Sequence, residues 1–500
     1  MLMNDSDNPA FVRPSWALPC AIILVAIFVR ANSLGFGFVY DDEYFLFGQP
    51  AVVDHDASLE WLWQPLHGLY RPIRSIIYVL LTPAFGRNPL PYRIIGITLD
   101  ATMAVLLFLI LKLLFCTRAA FVASLVWLLH PTHSERVVLI IGSFDIWGLT
   151  AMMAALYCAL KILVRDKGSP GAWIGLSIFT PLAVFANEEA LLLPVYFSIL
   201  AVVRCGFSGV FKNRRAISIL ALMGAFCGAY LFVRVGVIGL WGRTDAPPID
   251  SGGNLIPIMF AIVYYLFSTT FVPLDLHEVY PPYAFSGLGH FEVIAGIVVV
   301  AVMIGVVVWG LWKRSYFGAV AGWWLVAILP FSNLVANVEQ RHVRYLYMPT
   351  LALALLAAFV IDRLQSRSLK TKKIVFMSAA IILVAFFALA VKQNRIYRDS
   401  ITLWGDSYEN CSNCSKAAIN YGIALAKQRR FDEAREVLLP VLVSRPGYEM
   451  AFVTLAAVEM DKGRTNNALA LLVEALKINA NHAPARHMFE LIQSSEPPNI

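Results

Sequence analysis

Charge is scarce in this sequence. Of its 500 residues, 15% are charged and 59% are hydrophobic, where a soluble domain carries about 25% charged residues. The apolar surplus lies in long runs, the arrangement of a chain that crosses a bilayer. The net charge of +7 does not point to nucleic acid, because the basic residues sit in short loops and build no extended basic face. A Walker loop, a dinucleotide-binding glycine fingerprint and an H-E-x-x-H motif are all missing, so ATP-driven transport, dehydrogenation and zincin proteolysis lack their residues. Cysteine is sparse as well. Cys20, Cys116, Cys158, Cys205 and Cys227 lie in or beside apolar segments and read as packing residues. Cys411 and Cys414 form a lone C-x-x-C without the second pair that a zinc site wants. They read equally as a local disulfide in an oxidising compartment or as two loop thiols. No small-residue cleavage pattern follows Arg13 and the apolar run from Trp16 to Val29, so the N-terminus reads as a first membrane helix.

Hydropathy predicts apolar helices at about 16–30, 95–115, 119–130, 137–162, 171–186, 189–203, 216–234, 254–272, 291–312, 316–330, 345–361 and 374–391. The fold class expected is all-α, a polytopic membrane helical bundle over residues 16–391 with about 11 spans. Several segments are shorter than the ~20 residues of a full crossing, which suits a cavity entering the bilayer. Lysine sets the orientation. Before residue 390 it occurs at 112, 161, 167, 212, 313, 370, 372 and 373, always in alternate loops, and those loops are cytoplasmic by the positive-inside rule. Residues 1–15 are then inside. The loops 31–94, 131–136, 187–189, 235–253, 273–290 and 331–344, and everything after 391, are outside. Parity requires one segment not to cross, and 254–272 is read as re-entrant or interfacial.

After residue 405 the composition changes. Ala434 and Ala468 are 34 residues apart, as are Gly422 and Ala456. That period, with small residues where paired helices touch, is the tetratricopeptide signature. A linker is expected at 392–415, a short C-terminal tetratricopeptide α-solenoid at 416–493 and a tail at 494–500.

Chemistry-bearing residues gather in the external turns. The first loop opens Val39-Tyr40-Asp41-Asp42-Glu43, consecutive acids that are expensive to desolvate without a use. One of Asp41 and Asp42 could take a proton from an acceptor hydroxyl, and its neighbour could bind the acceptor or raise the partner's pKa. The same pair would be the ligands of any divalent cation, Mg or Mn. Arg71 and Arg74 follow in the same loop, and arginine without lysine suggests bidentate anion contacts, above all to a phosphate. The next turn carries His130, His133 and Glu135, with Asp145 just inside the following helix. Pro131 spoils the register of a His-x-x-His-x-Glu metal site, so these residues are read as lining a cavity, with Glu135 and Asp145 as further catalytic candidates. Glu188 and Glu189 sit in a third turn, and Arg341, Arg344 and Tyr345 in a last one. Acids or arginines in every external turn, against ordinary anchors inside, place the active face outside.

This ordered set resembles the GT-C superfamily of membrane glycosyltransferases. It is most similar to the transmembrane-and-tetratricopeptide O-mannosyltransferases and their bacterial relatives. The stretches that carry the resemblance are Val39 to Asp42, Tyr70-Arg71-Pro72, His130 to Glu135 with Gly142 to Asp145, Asn187-Glu188, Pro273-Leu274, Leu329 to Leu334 and Arg344 to Pro349. The resemblance implies a GT-C-type fold, a polyprenyl-phosphate sugar donor and inverting transfer of a mannose-like hexose to a hydroxyl. It implies Asp41 or Asp42 as base, and Arg71, Arg74, Arg341 and Arg344 around the carrier phosphate, whose leaving charge needs fixed cations. The acceptor would be a protein Ser/Thr or a glycan held by the repeats. The setting would be a bacterial inner membrane with a periplasmic site, or, in a eukaryote, an endoplasmic reticulum membrane with a luminal one. Asn187 stands where the family usually has lysine, Val343 where it usually has glutamate, and Asp100 where a histidine is usual. The competing readings are a flippase for lipid-linked sugars, against which no inverted repeat is found, and a repeat scaffold anchored in the membrane.

Overall fold

The computed structural model describes residues 16–48, 62–65, 68–164, 169–240, 255–283, 285, 287–334, 339–365 and 367–495. The regular elements among them are all helices. They divide into two compact units, residues 1–274, 284–340 and 344–394 in the first, and residues 275–283, 341–343 and 395–500 in the second.

The first unit begins with α1 (Ala17–Arg30), α2 (Asp42–Phe47), α3 (Pro72–Phe85), α4 (Pro89–Leu114), α5 (Thr117–Leu128), α6 (Ser134–Val138), α7 (Ile140–Val164) and α8 (Pro170–Val184). It continues with α9 (Leu193–Cys205), α10 (Phe207–Lys212), α11 (Arg214–Leu231), α12 (Leu255–Phe271), α13 (Phe291–Trp312), α14 (Tyr316–Ile328), α15 (Thr350–Leu364) and α16 (Leu369–Asn394). Local chemistry sets several of these boundaries. Asn88 caps α4 by accepting from the Leu90 amide, with Pro89 at the first position, where its missing N–H costs nothing. Asn213 caps α11 through the amides of Arg215 and Ala216.

This is a multi-pass membrane protein. Among the described residues, six helices are long and apolar enough to cross, Pro89–Leu114, Ile140–Val164, Arg214–Val237, Phe291–Trp312, Val343–Leu364 and Leu369–Tyr397. The remaining apolar helices are shorter, α12 among them, so the expected eleven full spans exceed what length and composition support. The apolar stretches of α4, α7 and α15 are mostly buried, whereas those of α13 and α16 contain few buried residues, as helices that face lipid would.

Two local expectations need correction. The helix expected at 137–162 breaks at Leu139, whose ψ of 121° is extended, so α6 and α7 are separate helices. The stretch 31–94, expected as a loop, contains α3, introduced by Pro72 and too short to register as a span.

The second unit also starts earlier than expected. The stretch 392–415 is not an open linker, since it carries α17 (Ser400–Asn410), capped by Asp399. Five helices follow, α18 (Ser415–Lys427), α19 (Phe431–Ser444), α20 (Glu449–Asp461), α21 (Thr465–Ile478) and α22 (Ala483–Ser495). Each of α20, α21 and α22 starts 34 residues after the helix two before it. Ala434 and Ala468 are fully buried at equivalent places. Cys411 and Cys414 are joined by a disulfide. The segments 275–283 and 341–343 belong to this unit. His277 pairs with Asp406 at 2.9 Å, and the buried Glu278 takes His342 at 3.1 Å and the Tyr397 hydroxyl at 3.4 Å.

Candidate active site

The acidic loop and the arginines meet the bundle at the N-terminal end of α7. Tyr40 adopts φ 57° and turns the chain into Asp41, which is half-buried. Asp42 is fully buried. One of its carboxylate oxygens accepts from the Val39 amide at 3.0 Å and the other from the Ile141 amide at 2.8 Å. Burial pushes its pKa up to about 7, against the pull of those two amides. A value near neutrality suits a general base, yet with both oxygens engaged and no exposure this carboxylate cannot meet an acceptor. Asp42 is therefore a clamp on backbone.

One turn into α7, Asp145 is held by three arginines. Its Oδ1 takes Arg71 at 2.6 Å and Arg74 at 2.8 Å, and its Oδ2 lies 3.6 Å from Arg136. Arg71 also reaches Glu188 at 2.5 Å, and Arg136 reaches Glu189 at 2.8 Å. Arg234 adds a second contact to Glu188 at 3.2 Å. The Arg136 Nε donates to the Arg344 carbonyl at 3.0 Å. Glu135 accepts from the Arg344 amide at 2.8 Å and lies 3.7 Å from its guanidinium. Five arginines thus meet four carboxylates among these contacts. Burial works against the charges on Arg71 and Arg136, but Glu188 and Asp145 for the first, and Glu189 and Asp145 for the second, hold both pKa values above the ordinary arginine value.

Short backbone links bring these stretches together. The Ile73 amide donates to the Phe185 carbonyl at 3.2 Å, tying the start of α3 to the end of α8. The Tyr230 hydroxyl donates to the Tyr70 carbonyl at 3.0 Å, next to Arg71. Asn187 accepts from the Glu189 amide at 3.0 Å and donates to the Asp145 carbonyl at 3.4 Å. Gly148 permits this approach, since a Cβ there would stand 3.0 Å from the Asn187 nitrogen.

Of the residues singled out in the sequence, Arg71, Arg74, Glu135, Asp145, Glu188, Glu189 and Arg344 share this cluster. Arg341 belongs to the second unit, where it donates to the Pro281 carbonyl and lies over the rings of Tyr280 and Tyr283. Tyr345 is buried, stacked on Phe331 and bonded to the Glu339 carbonyl. Sequence reasoning passed over Arg234 and gave Arg136 no role. Their signal was a cation in or beside an apolar stretch.

His130 and His133 are packed side chains. The His130 Nε2 lies 3.2 Å from the Thr270 carbonyl, which can only accept, so its Nδ1, 2.7 Å from the Thr132 hydroxyl, is the acceptor. No lone pair is left for a metal. His133 lies between Trp127 and Tyr347 and bonds the Thr350 hydroxyl. Burial lowers the His130 pKa to about 3, and burial, His130, Arg30 and Arg136 lower that of His133 well below its usual value. The unfolded chain therefore binds protons below pH ~6.5 that the folded chain refuses, and stability falls as pH drops from there. The slope is at most about 1.4 kcal/mol per pH unit per histidine. Relative to wild type, the detergent-solubilised His130→Gln protein should gain melting temperature as pH falls from 7 to 5, because it lacks one of the two rings that refuse protons, while the raised Asp42 carboxyl acts in the opposite sense in both proteins. A constant difference between the two proteins across that range would mean that His130 takes up its proton while folded.

No family model matches the chain. It is similar to protein O-mannosyl-transferase TMTC4 of Mus musculus, 22% identical over 493 residues that cover 85% of this chain and 66% of that protein. Protein O-mannosyl-transferase TMTC3 of Homo sapiens is 21% identical, over 87% of this chain and 52% of its own length. Protein O-mannosyl-transferase Tmtc2 of Drosophila melanogaster matches at 31% over 119 residues, 24% of this chain and 12% of that one. The chain thus spans less than two-thirds of the length of these relatives. Among solved structures, the ArnT of Cupriavidus metallidurans bound to undecaprenyl phosphate aligns with a TM-score of 0.45 at 14% identity, over 97% of this chain and 82% of that one. The apo oligosaccharyltransferase of Archaeoglobus fulgidus aligns with a TM-score of 0.44 at 15% identity, over 76% and 56%. Structural likenesses this loose carry no functional weight.

Proposed function

We propose that this O-mannosyltransferase-like chain is a membrane glycosyltransferase. It moves a mannose-like hexose from a polyprenyl-phosphate carrier to a hydroxyl, on a protein Ser/Thr, at the outer face of the membrane. One observation carries the reading. The Asp42–Ile141 bond anchors the loop bearing Asp41 at the same helix end where Asp145 gathers its arginines.

In this reading Asp41 is the base, and Asp42 holds the loop. The acceptor oxygen attacks the anomeric carbon, its proton passes to the Asp41 carboxylate, and the bond from that carbon to the phosphate oxygen breaks. The leaving group changes from a phosphodiester with one negative charge to a monoester with a second. The arginines meet that added charge, and a fixed cation does so without reorganising. Single displacement makes the transfer inverting. The repeats of the second unit bind the acceptor polypeptide, as stacked helical pairs do.

The test replaces Asp41 by asparagine and follows transfer from a labelled polyprenyl-phosphate hexose in membranes. Loss of a general base lowers turnover by about 10²–10⁴-fold, with donor binding retained. Wild-type transfer by Asp41→Asn would overturn the assignment.

A further inference from the structure

Arg93 has no part in the chemistry proposed above, yet each of its three guanidinium nitrogens is engaged. It stands in α4, only 1% exposed, and donates to three backbone carbonyls. Its Nε reaches the Phe36 carbonyl at 3.0 Å, its Nη2 the Gly37 carbonyl and its Nη1 the Val138 carbonyl. A guanidinium is suited to this, since its five donors lie in one rigid plane. Three carbonyls are an unusual destination for a buried arginine that has acids nearby.

The same two stretches of chain are joined a second time. Asp42 holds the Val39 amide on one side and the Ile141 amide on the other. Arg93 thus binds carbonyls at 36, 37 and 138, and Asp42 binds amides at 39 and 141. Between the last loop residue held by Arg93 and the carboxylate of Asp42 lies Asp41. One turn further along α4, a Cβ at Gly96 would stand 3.0 Å from the Val137 carbonyl oxygen and 3.1 Å from the Ser143 Cβ. The helix bearing Arg93 therefore lies as close to this stretch as backbone allows.

We infer that Arg93 is a positioning residue which, together with Asp42, sets the backbone that carries Asp41 against the start of α7. The inference rests on Asp41 being the base. Arg93 acts through the loop and touches no reacting atom. A misplacement of about 1 Å at a reacting group costs roughly 10²-fold in rate, so loosening this staple acts on turnover, while donor capture depends on the separate arginine cluster.

The experiment uses full-length protein in membranes, with Arg93→Lys and Gly96→Ala measured beside Asp41→Asn. Lysine keeps the charge but cannot reach three carbonyls at once. Gly96→Ala leaves Arg93 intact and pushes its helix off the Val137 carbonyl, so it serves if Arg93→Lys does not fold. Turnover is normalised to the sites that bind the labelled donor. Both variants should show kcat reduced about 10–100-fold with donor KM unchanged, and faster backbone hydrogen exchange in 36–42. Wild-type kcat in Arg93→Lys, beside an inactive Asp41→Asn, would overturn this inference alone. So would a fall in kcat with no change in exchange at 36–42. Full transfer by Asp41→Asn would overturn the base assignment and this inference with it.

Discussion

Asp145→Asn should destabilise the protein by up to about 3 kcal/mol, the lower end of the cost of removing one partner from a buried charge pair, because this carboxylate is partly exposed. The side chain keeps its shape and loses its charge. Arg71, Arg74 and Arg136, all within 3.6 Å of the native carboxylate, then face one another with less compensation. Glu188 and Glu189 neutralise only part of that charge, because Glu188 is shared between Arg71 and Arg234, and Glu189 pairs with Arg136. Melting of the solubilised protein reads the effect directly, with Asp145→Glu as the control that restores the charge one methylene further out. The native melting temperature in Asp145→Asn would show that the arginines are satisfied without this carboxylate. The same logic argues against Asp145 as a base, since a carboxylate held by three guanidiniums has little affinity for a proton.

Arg344→Gln should cut transfer from the polyprenyl-phosphate donor by about 10²-fold or more, the typical loss on removing one donor to a developing oxyanion. Arg344 has the most exposed guanidinium of the cluster, with 28% of its side chain accessible, against 3% for Arg136 and 8% for Arg74. Its backbone is held independently, through the Glu135 carboxylate on its amide and the Arg136 Nε on its carbonyl. The substitution therefore removes the charge and leaves the chain in place. Both kcat and donor affinity should fall, because phosphate is bound in the ground state and gains charge as it leaves. Arg344→Lys should recover binding better than turnover, since an ammonium supplies charge without the planar fork. Unchanged kinetics in Arg344→Gln would move phosphate recognition to Arg71, Arg74 or Arg234.

Several of these features were legible in the sequence because they break a strong background. An acid or an arginine in or beside an apolar stretch stands out, and that signal marked Arg71, Arg74, Asp145 and Glu188 together. The 34-residue spacing was equally plain, because Ala434 and Ala468 have to be small where helices touch. What could not be read were roles set by backbone. Asp41 and Asp42 are adjacent and chemically identical, and only the partners at Val39 and Ile141 distinguish them. His130 and His133 resemble ligands by type and spacing, but a threonine hydroxyl and a main-chain carbonyl occupy the ring of the first. The helix at 72–85 was hidden by its length, and α17 by its polar composition.

The break at Leu139 bears on what mutational scanning can see. In an unbroken helix the Val138 carbonyl and the Ile141 amide would each be spent on a neighbour four residues away. The interruption releases both, and they become the sockets into which Arg93 and Asp42 plug. Every residue supplies the carbonyl at 138, and every residue but proline the amide at 141, so other side-chain replacements there leave the plug in place. An alanine scan of 137–141 would report packing losses alone and pass over the junction, which becomes visible only from the plug side.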